Sequence, residues 1–149
     1  MTNPLLTDWT TAFGLPPFTD ISDNDFAPAV DAALETARAN ITEIAESAET
    51  ATFDNTVVAL ELADAQLGRV LGAFYTLAGA DSNTAREELQ RDFAPQLSAY
   101  GSWITGNTVL FERVEDLWTR RDGLELTDEQ ARVLMLTRRG FVRAGALLS

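Results

Sequence analysis

The chain has 149 residues, no cysteine, no histidine and a formal net charge of −12 at neutral pH. The missing residue types exclude disulfides, thiolate nucleophiles, Ser-His-Asp triads and HExxH zinc sites from this stretch, and a metal here would need oxygen ligands alone. All 11 basic residues are arginine, against 23 acidic residues, so we expect neither nucleic acid nor a membrane surface as a partner.

Composition is that of a folded domain. Hydrophobic residues make up 46% and charged residues 23% of the chain, and a chain of this length can bury a substantial core. The first thirty residues hold no Lys or Arg, and Pro, Asp and Thr interrupt their apolar residues, which is typical neither of a signal peptide nor of a membrane span. We therefore expect a cytoplasmic protein.

Residues 1–22 are predicted to form an extended N-terminal arm, because Pro and Gly recur within them and oppose helix formation. We expect the arm to pack across the helices of its own chain through Leu5, Leu6, Trp9, Phe13, Leu15 and Phe18. The Leu15-Pro16-Pro17 string leaves a second interpretation open, a polyproline ligand for a partner domain, although one Pro pair is weak support for it.

Residues 23–149 are predicted to form an all-α domain of about five helices in an antiparallel bundle. The first helix is expected over residues 24–48, capped by Asp23 or Asn24, and the second over residues 54–79. The second carries an a/d seam of apolar residues suited to a near-antiparallel neighbour. Its Gly68 and Gly72 favour either a close helix crossing or simple tolerance of glycine.

The third helix is predicted from Thr84, in a capping box with Glu87, to about Thr105, and Pro95 is expected to kink or split it. The fourth follows Asn107 to about residue 121. The fifth opens at the capping box formed by Thr127 and Gln130. The apolar end, residues 144–149, shows no stop signal, and we expect a chain truncated inside or just after a helix.

Three groups of polar residues invite a functional interpretation, and each has a simpler one. Glu112 and Asp116 share a helix face, as paired carboxylates in acid–base catalysis do, but exposed acidic faces are ordinary in so acidic a chain. An acidic run near the first helix suggests calcium but lacks the EF-hand pattern: Asp20, Asp23, Asp25 and Asp31. The pairs Arg120-Arg121 and Arg138-Arg139 suggest a carboxylate clamp, or cations at helix ends. We assign no catalytic, cofactor-binding or metal-binding residue.

Several strings in order resemble one family. They are Asn3-Pro4-Leu5-Leu6, Phe13-Gly14-Leu15-Pro16-Pro17-Phe18, Phe26-Ala27-Pro28-Ala29, Thr52-Phe53-Asp54-Asn55-Thr56, Ala94-Pro95-Gln96-Leu97, Leu110-Phe111-Glu112-Arg113-Val114 and Phe141-Val142-Arg143-Ala144-Gly145-Ala146. Together they resemble the N-terminal region of the M3 zinc metallopeptidases, the group of thimet oligopeptidase, oligopeptidase A and peptidyl-dipeptidase Dcp.

The resemblance implies a nearly all-helical enzyme with two lobes around a deep channel. Zinc would be held by an HExxH motif and a downstream Glu in the C-terminal catalytic region, so the zinc belongs to the full-length parent and no cofactor belongs to this fragment. The fragment would wall the channel, restrict access to short peptides and have no peptidase activity alone. Its partners would be the catalytic region of the same chain and short peptide substrates. The alternative is a self-contained helical protein-interaction module.

Overall fold

The computed structural model describes residues 2–148 and contains no β-strand within them. The prediction of an all-α fold is confirmed. Five of the described helices have 13 residues or more, in agreement with the number expected. In chain order the elements are a 3-10 turn (Ala12–Gly14), α1 (Asp23–Glu46), a π-helix (Phe53–Val58), α2 (Ala59–Leu62), α3 (Ala65–Ala80), α4 (Thr84–Thr105), α5 (Thr108–Arg120), a second 3-10 turn (Arg121–Gly123) and α6 (Asp128–Arg143).

The chain divides into two compact units. The first comprises Met1–Ala37 and Asp64–Leu97, and the second comprises Arg38–Ala63 and Ser98–Ser149. Helices α1 and α4 therefore contribute residues to both units.

The first unit is built around three aromatic rings. Phe74 meets Phe26 and Phe93 edge to face, with centroids 5.1 Å and 5.0 Å apart. This is a favoured geometry for aromatic pairs. All three side chains are buried, together with Leu5 from the arm. The part of the predicted seam that lies in α3, which includes Phe74, thus contributes to this core.

The beginning of the arm packs on the first unit as expected. Leu5 is fully buried, and the Asn3 side chain donates to the backbone oxygen of Asp25 at 2.7 Å. The guanidinium of Arg69 lies 4.5 Å from the centre of the Trp9 ring. The expectation is wrong further along the arm, where Phe13, Leu15 and Phe18 are exposed.

The second unit has its own core between α5 and α6. Leu110, Val114, Leu117 and Leu134 are completely buried there, and the rings of Phe111 and Phe141 lie 5.8 Å apart. These positions recur at helical spacing, which is why the sequence pattern identifies them.

The second predicted helix is not continuous. It begins as a π-helix, in which the N–H of Ala59 donates to the oxygen of Asp54, and it breaks at Ala63 before α3 starts. The Asn40 side chain donates to the Ala63 carbonyl at 2.9 Å, which gives the freed oxygen a partner. The apolar spacing persists through the break, so periodicity alone cannot reveal it.

Pro95 does not split the third predicted helix, because α4 runs unbroken through it. Burial of Phe93 before it and of Tyr100 after it offsets the missing N–H donor, since each large buried side chain contributes about 2 kcal/mol. The cap of α4 also differs from the prediction: the Asn83 side chain, rather than Thr84, accepts from the N–H of Arg86 at 2.9 Å.

The close crossing proposed for Gly68 and Gly72 is absent from the described residues. A Cβ atom added at either position would meet no atom within 4 Å. The interpretation of tolerated glycine is therefore the correct one.

The chain has a stop signal for α6. Gly145 adopts a φ of 104°, its N–H donates to Val142 at 3.0 Å, and the N–H of Ala146 reaches back to Phe141 at 3.1 Å. This is a Schellman motif, which closes a helix with a left-handed residue that Gly accommodates best. The expectation that the helix lacks a stop signal is wrong.

Candidate functional site

The paired carboxylates do not have the environment of a catalytic acid. Glu112 is exposed, whereas Asp116 accepts hydrogen bonds from Arg120 at 3.1 Å. Hydrogen bonding by Arg120 is the main cause that lowers the pKa of Asp116. A general acid needs a raised pKa near neutrality, so the observed direction opposes that role.

The acidic run near the start of α1 serves local structure. The Asp25 carboxylate accepts from the N–H and the hydroxyl of Ser22, at 2.7 Å and 2.8 Å. Asp23 accepts from Arg86 at 2.7 Å and from Asn83 at 2.9 Å. These contacts tie the first turn of α1 to the start of α4 within the first unit.

Three of the four paired arginines contact groups of the second unit. Arg138 makes two bonds with Glu115, at 2.6 Å and 3.1 Å. Arg120 donates to Asp116 and to the Ala51 carbonyl. Arg121 donates to the carbonyl of Trp118 and lies 4.2 Å from its ring. The helix-end interpretation fits Arg120 and Arg121, which lie at the end of α5. Arg138 instead joins α6 to the Glu115 carboxylate of α5.

A highly connected polar group of the second unit was not among the candidate residues taken from the sequence. The guanidinium of Arg113 donates to the backbone oxygens of Ser47 and Glu49, both at 2.9 Å. It also reaches the side chains of Asn55 at 3.2 Å and Thr56 at 3.4 Å. We call this set the Arg113 network.

The Arg113 network joins two of the strings that carry the family resemblance, Thr52–Thr56 and Leu110–Val114. Asn55 completes a capping box with Thr52 at the start of the π-helix, and its amide donates to the Thr50 carbonyl at 3.0 Å. Thr56 is fully buried. These strings therefore hold the loop after α1 against α5, which is a structural task. In the sequence, the only indication that these two strings act together was that both carry the family resemblance.

At least three surface depressions are lined by described residues of the second unit. One of about 510 Å³ lies between the end of α5 and α6, with Trp118, Arg121 and Leu134 among its lining. A cleft of about 400 Å³ runs between α1 and the residues around the π-helix, with Asn40, Glu43 and Asn55 among its lining. An apolar groove of about 250 Å³ lies between the π-helix and α6 and is lined by Phe53, Val58, Leu62 and Val133 among others. Leu62 is 63% exposed.

Within residues 2–148, no group of three or more acidic side chains is placed to hold a metal ion. None of the helices in this part of the chain has the length and apolar character needed to cross a membrane.

The chain was compared with known proteins. No family model matches it. It is 33% identical over 147 residues to dipeptidyl carboxypeptidase of Escherichia coli K12, and 34% identical over 148 residues to that of Salmonella typhimurium LT2. Each match covers 99% of this chain and 22% of the relative.

Oligopeptidase A of Escherichia coli K12 is 32% identical over 123 residues, which is 83% of this chain and 17% of that protein. The chain thus spans about a fifth of the length of the relatives it matches. The predicted relationship is confirmed: the chain is homologous to the N-terminal region of the M3 peptidases dipeptidyl carboxypeptidase and oligopeptidase A.

Proposed function

We propose that this chain is a non-catalytic helical domain of a zinc-dependent M3 peptidase, where it walls the channel and restricts access to short peptides. The observation that carries the proposal is similarity along 99% of the chain to about a fifth of dipeptidyl carboxypeptidase. That name describes an enzyme that releases dipeptides from peptide carboxyl ends, and we extend the activity to the parent of this chain.

The residue types of this chain support the proposal that catalysis belongs to another part of the parent peptidase. The zinc of the family needs an HExxH motif, and this sequence has no histidine. The residues present do not fit that zinc site. Arg113, Asp23 and Arg138 make hydrogen bonds that hold loops and helices of their own unit.

A wall must be rigid to select substrates by shape. In support of this, each unit has its own buried apolar core, and the Arg113 network holds a loop within the second unit. A narrow passage between rigid walls admits an extended peptide and excludes a folded protein, which would have to unfold first. The exposed apolar groove at Val58, Leu62 and Val133 is consistent with a domain that packs against further protein. We also retain the cytoplasmic location expected from the sequence.

The experiment uses the complete product of the gene and, beside it, residues 1–149 alone. We expect the complete product to hydrolyse a fluorogenic peptide of about ten residues in a zinc-dependent manner, and the 149-residue chain to give no turnover with or without zinc. The complete product should leave the same sequence intact when it lies within a folded domain. Chelator-sensitive turnover by the pure 149-residue chain would refute the proposal.

The wall itself is tested by labelling. A non-hydrolysable peptide that carries a photoreactive group is bound to the complete product and irradiated. We expect cross-links to residues within 2–148, and a peptide that labels only other regions would contradict the wall role. If the gene product is instead a 149-residue dimer without peptidase activity, the alternative of a self-contained interaction module replaces this proposal.

A further inference from the structure

The N-terminal arm carries an aromatic side chain, Phe13, that is fully exposed to solvent. Phe13 is 100% exposed, and Leu15 and Phe18 beside it are 55% and 38% exposed. The same string supports the family resemblance, although the phenylalanines of other such strings, Phe26 and Phe141, are buried at 0% and 3%. Phe13 therefore has no packing role among the described residues that would explain it.

The backbone that carries Phe13 is strained. Phe13 has a φ of 61° and Gly14 a φ of 65°, and the left-handed region is unfavourable for a residue with a bulky side chain. The turn is nonetheless fixed: the N–H of Gly14 donates to Thr11 at 3.0 Å, and the Thr11 hydroxyl donates to the Leu15 carbonyl. Pro16 and Pro17 then restrict the chain that follows.

A rigid turn with an exposed aromatic tip is suited to binding. Fixing the turn in advance lowers the entropy lost on association, and aromatic anchors that enter pockets dominate many interfaces. Residues 9–19 contain no charged side chain, which favours an uncharged apolar pocket as the complementary surface.

We infer that the turn at Phe13 is an anchor that docks into an apolar pocket in the remainder of the parent peptidase. This inference rests on the proposed function. Two observations favour that occupant: the relatives extend over several times the length of this chain, and a second copy, which also carries a charge of −12, would be repelled.

The experiment places the photoreactive residue benzoylphenylalanine at position 13 of the complete gene product. After irradiation and proteolysis, mass spectrometry should find position 13 joined to a peptide from the region beyond residue 149 of the same molecule. Cross-links to a second copy, links confined to residues 2–148, or no link at all would overturn the inference. Zinc-dependent peptide hydrolysis by the same sample tests the proposed function separately, because an active enzyme without the cross-link contradicts only the anchor.

Substitution gives a second readout. In the isolated 149-residue chain, Phe13→Asp should not lower the thermal midpoint, since the side chain is fully exposed there and Asp tolerates the left-handed backbone better than Phe. In the complete product, it should increase the rate of proteolytic cutting within residues 9–19 by about tenfold or more, because the anchor is released. The matched control is Val109→Asp at an exposed position of α5, which should leave that rate unchanged. Equal rates for the Phe13→Asp and unmodified proteins would also overturn the inference.

Discussion

Replacement of Arg113 by Met should destabilise the second unit far more than its position on a half-exposed helix face suggests. Met keeps most of the aliphatic stem but removes the hydrogen bonds to Ser47, Glu49, Asn55 and Thr56. A hydrogen bond from a charged donor contributes about 1.5–3 kcal/mol, and an acceptor left unpaired in a buried position adds a desolvation cost.

The total loss of unfolding free energy should be smaller than the sum for four such hydrogen bonds. The 3.2 Å and 3.4 Å contacts are long, the carbonyl of Glu49 is exposed enough to bind water, and the Nε of Arg113 finds no acceptor among the described residues. We therefore expect a loss of about 3 kcal/mol in the free energy of unfolding. Arg113→Lys should lose less stability than Arg113→Met, because its ammonium group retains the charge. It should still lose some stability, because an ammonium group cannot span all four acceptors.

The assay is urea denaturation of the 149-residue chain followed by circular dichroism, with Arg139→Met as the control at an exposed arginine of α6. The control should change the free energy of unfolding by less than about 0.5 kcal/mol. If Arg113→Met were no more destabilising than Arg139→Met, the Arg113 network would not hold the loop after α1, and our explanation of the two strings would fail.

Three further predictions concern the first unit. Gly72→Ala should raise the free energy of unfolding by about 0.5–1 kcal/mol in a urea titration, because the new Cβ meets open space and Ala is the better helix former; a loss of stability would indicate a close neighbour instead. Phe74→Ala should cost about 3–5 kcal/mol in the same assay, since Phe74 contacts two rings of the buried core; a cost below 1 kcal/mol would contradict that core. Hydrogen bonding, first by Arg86 and then by Asn83, lowers the pKa of Asp23 below its ordinary value of 3.8. Its stabilising contribution is therefore complete above pH 3.8 and disappears as the pH falls through the lower folded-state pKa. Over that acid range, Asp23→Asn should lose less stability than the unmodified chain. If both chains lost the same stability as the pH fell, the stabilising role assigned to Asp23 would be refuted.

Periodicity was sufficient to predict the cores. Phe26, Val30, Phe74 and Leu134 are buried as their spacing requires, because a helix face repeats every three to four residues whatever its surroundings. The capping box at Thr127 was also predictable, since it depends only on residues within one turn.

Features that depend on distant partners were not predictable in this way. The break at Ala63 is stabilised by Asn40, 23 residues away, and Arg113 contacts residues 57 to 66 positions earlier. No local pattern specifies such contacts. The exposure of Phe13 was missed for the opposite reason: an apolar side chain is expected to be buried in its own domain, and this one reaches no neighbour within the described part of the chain.

The most direct measurement for the central claim is the length and sequence of the complete gene product. They are obtained by sequencing the open reading frame beyond codon 149 and by mass spectrometry of the intact protein purified from its native cells. Our account predicts several hundred further residues that include an HExxH motif and a downstream glutamate. A product that stops at Ser149, or a long one without that motif, would contradict the assignment of this chain as the helical wall of a zinc peptidase.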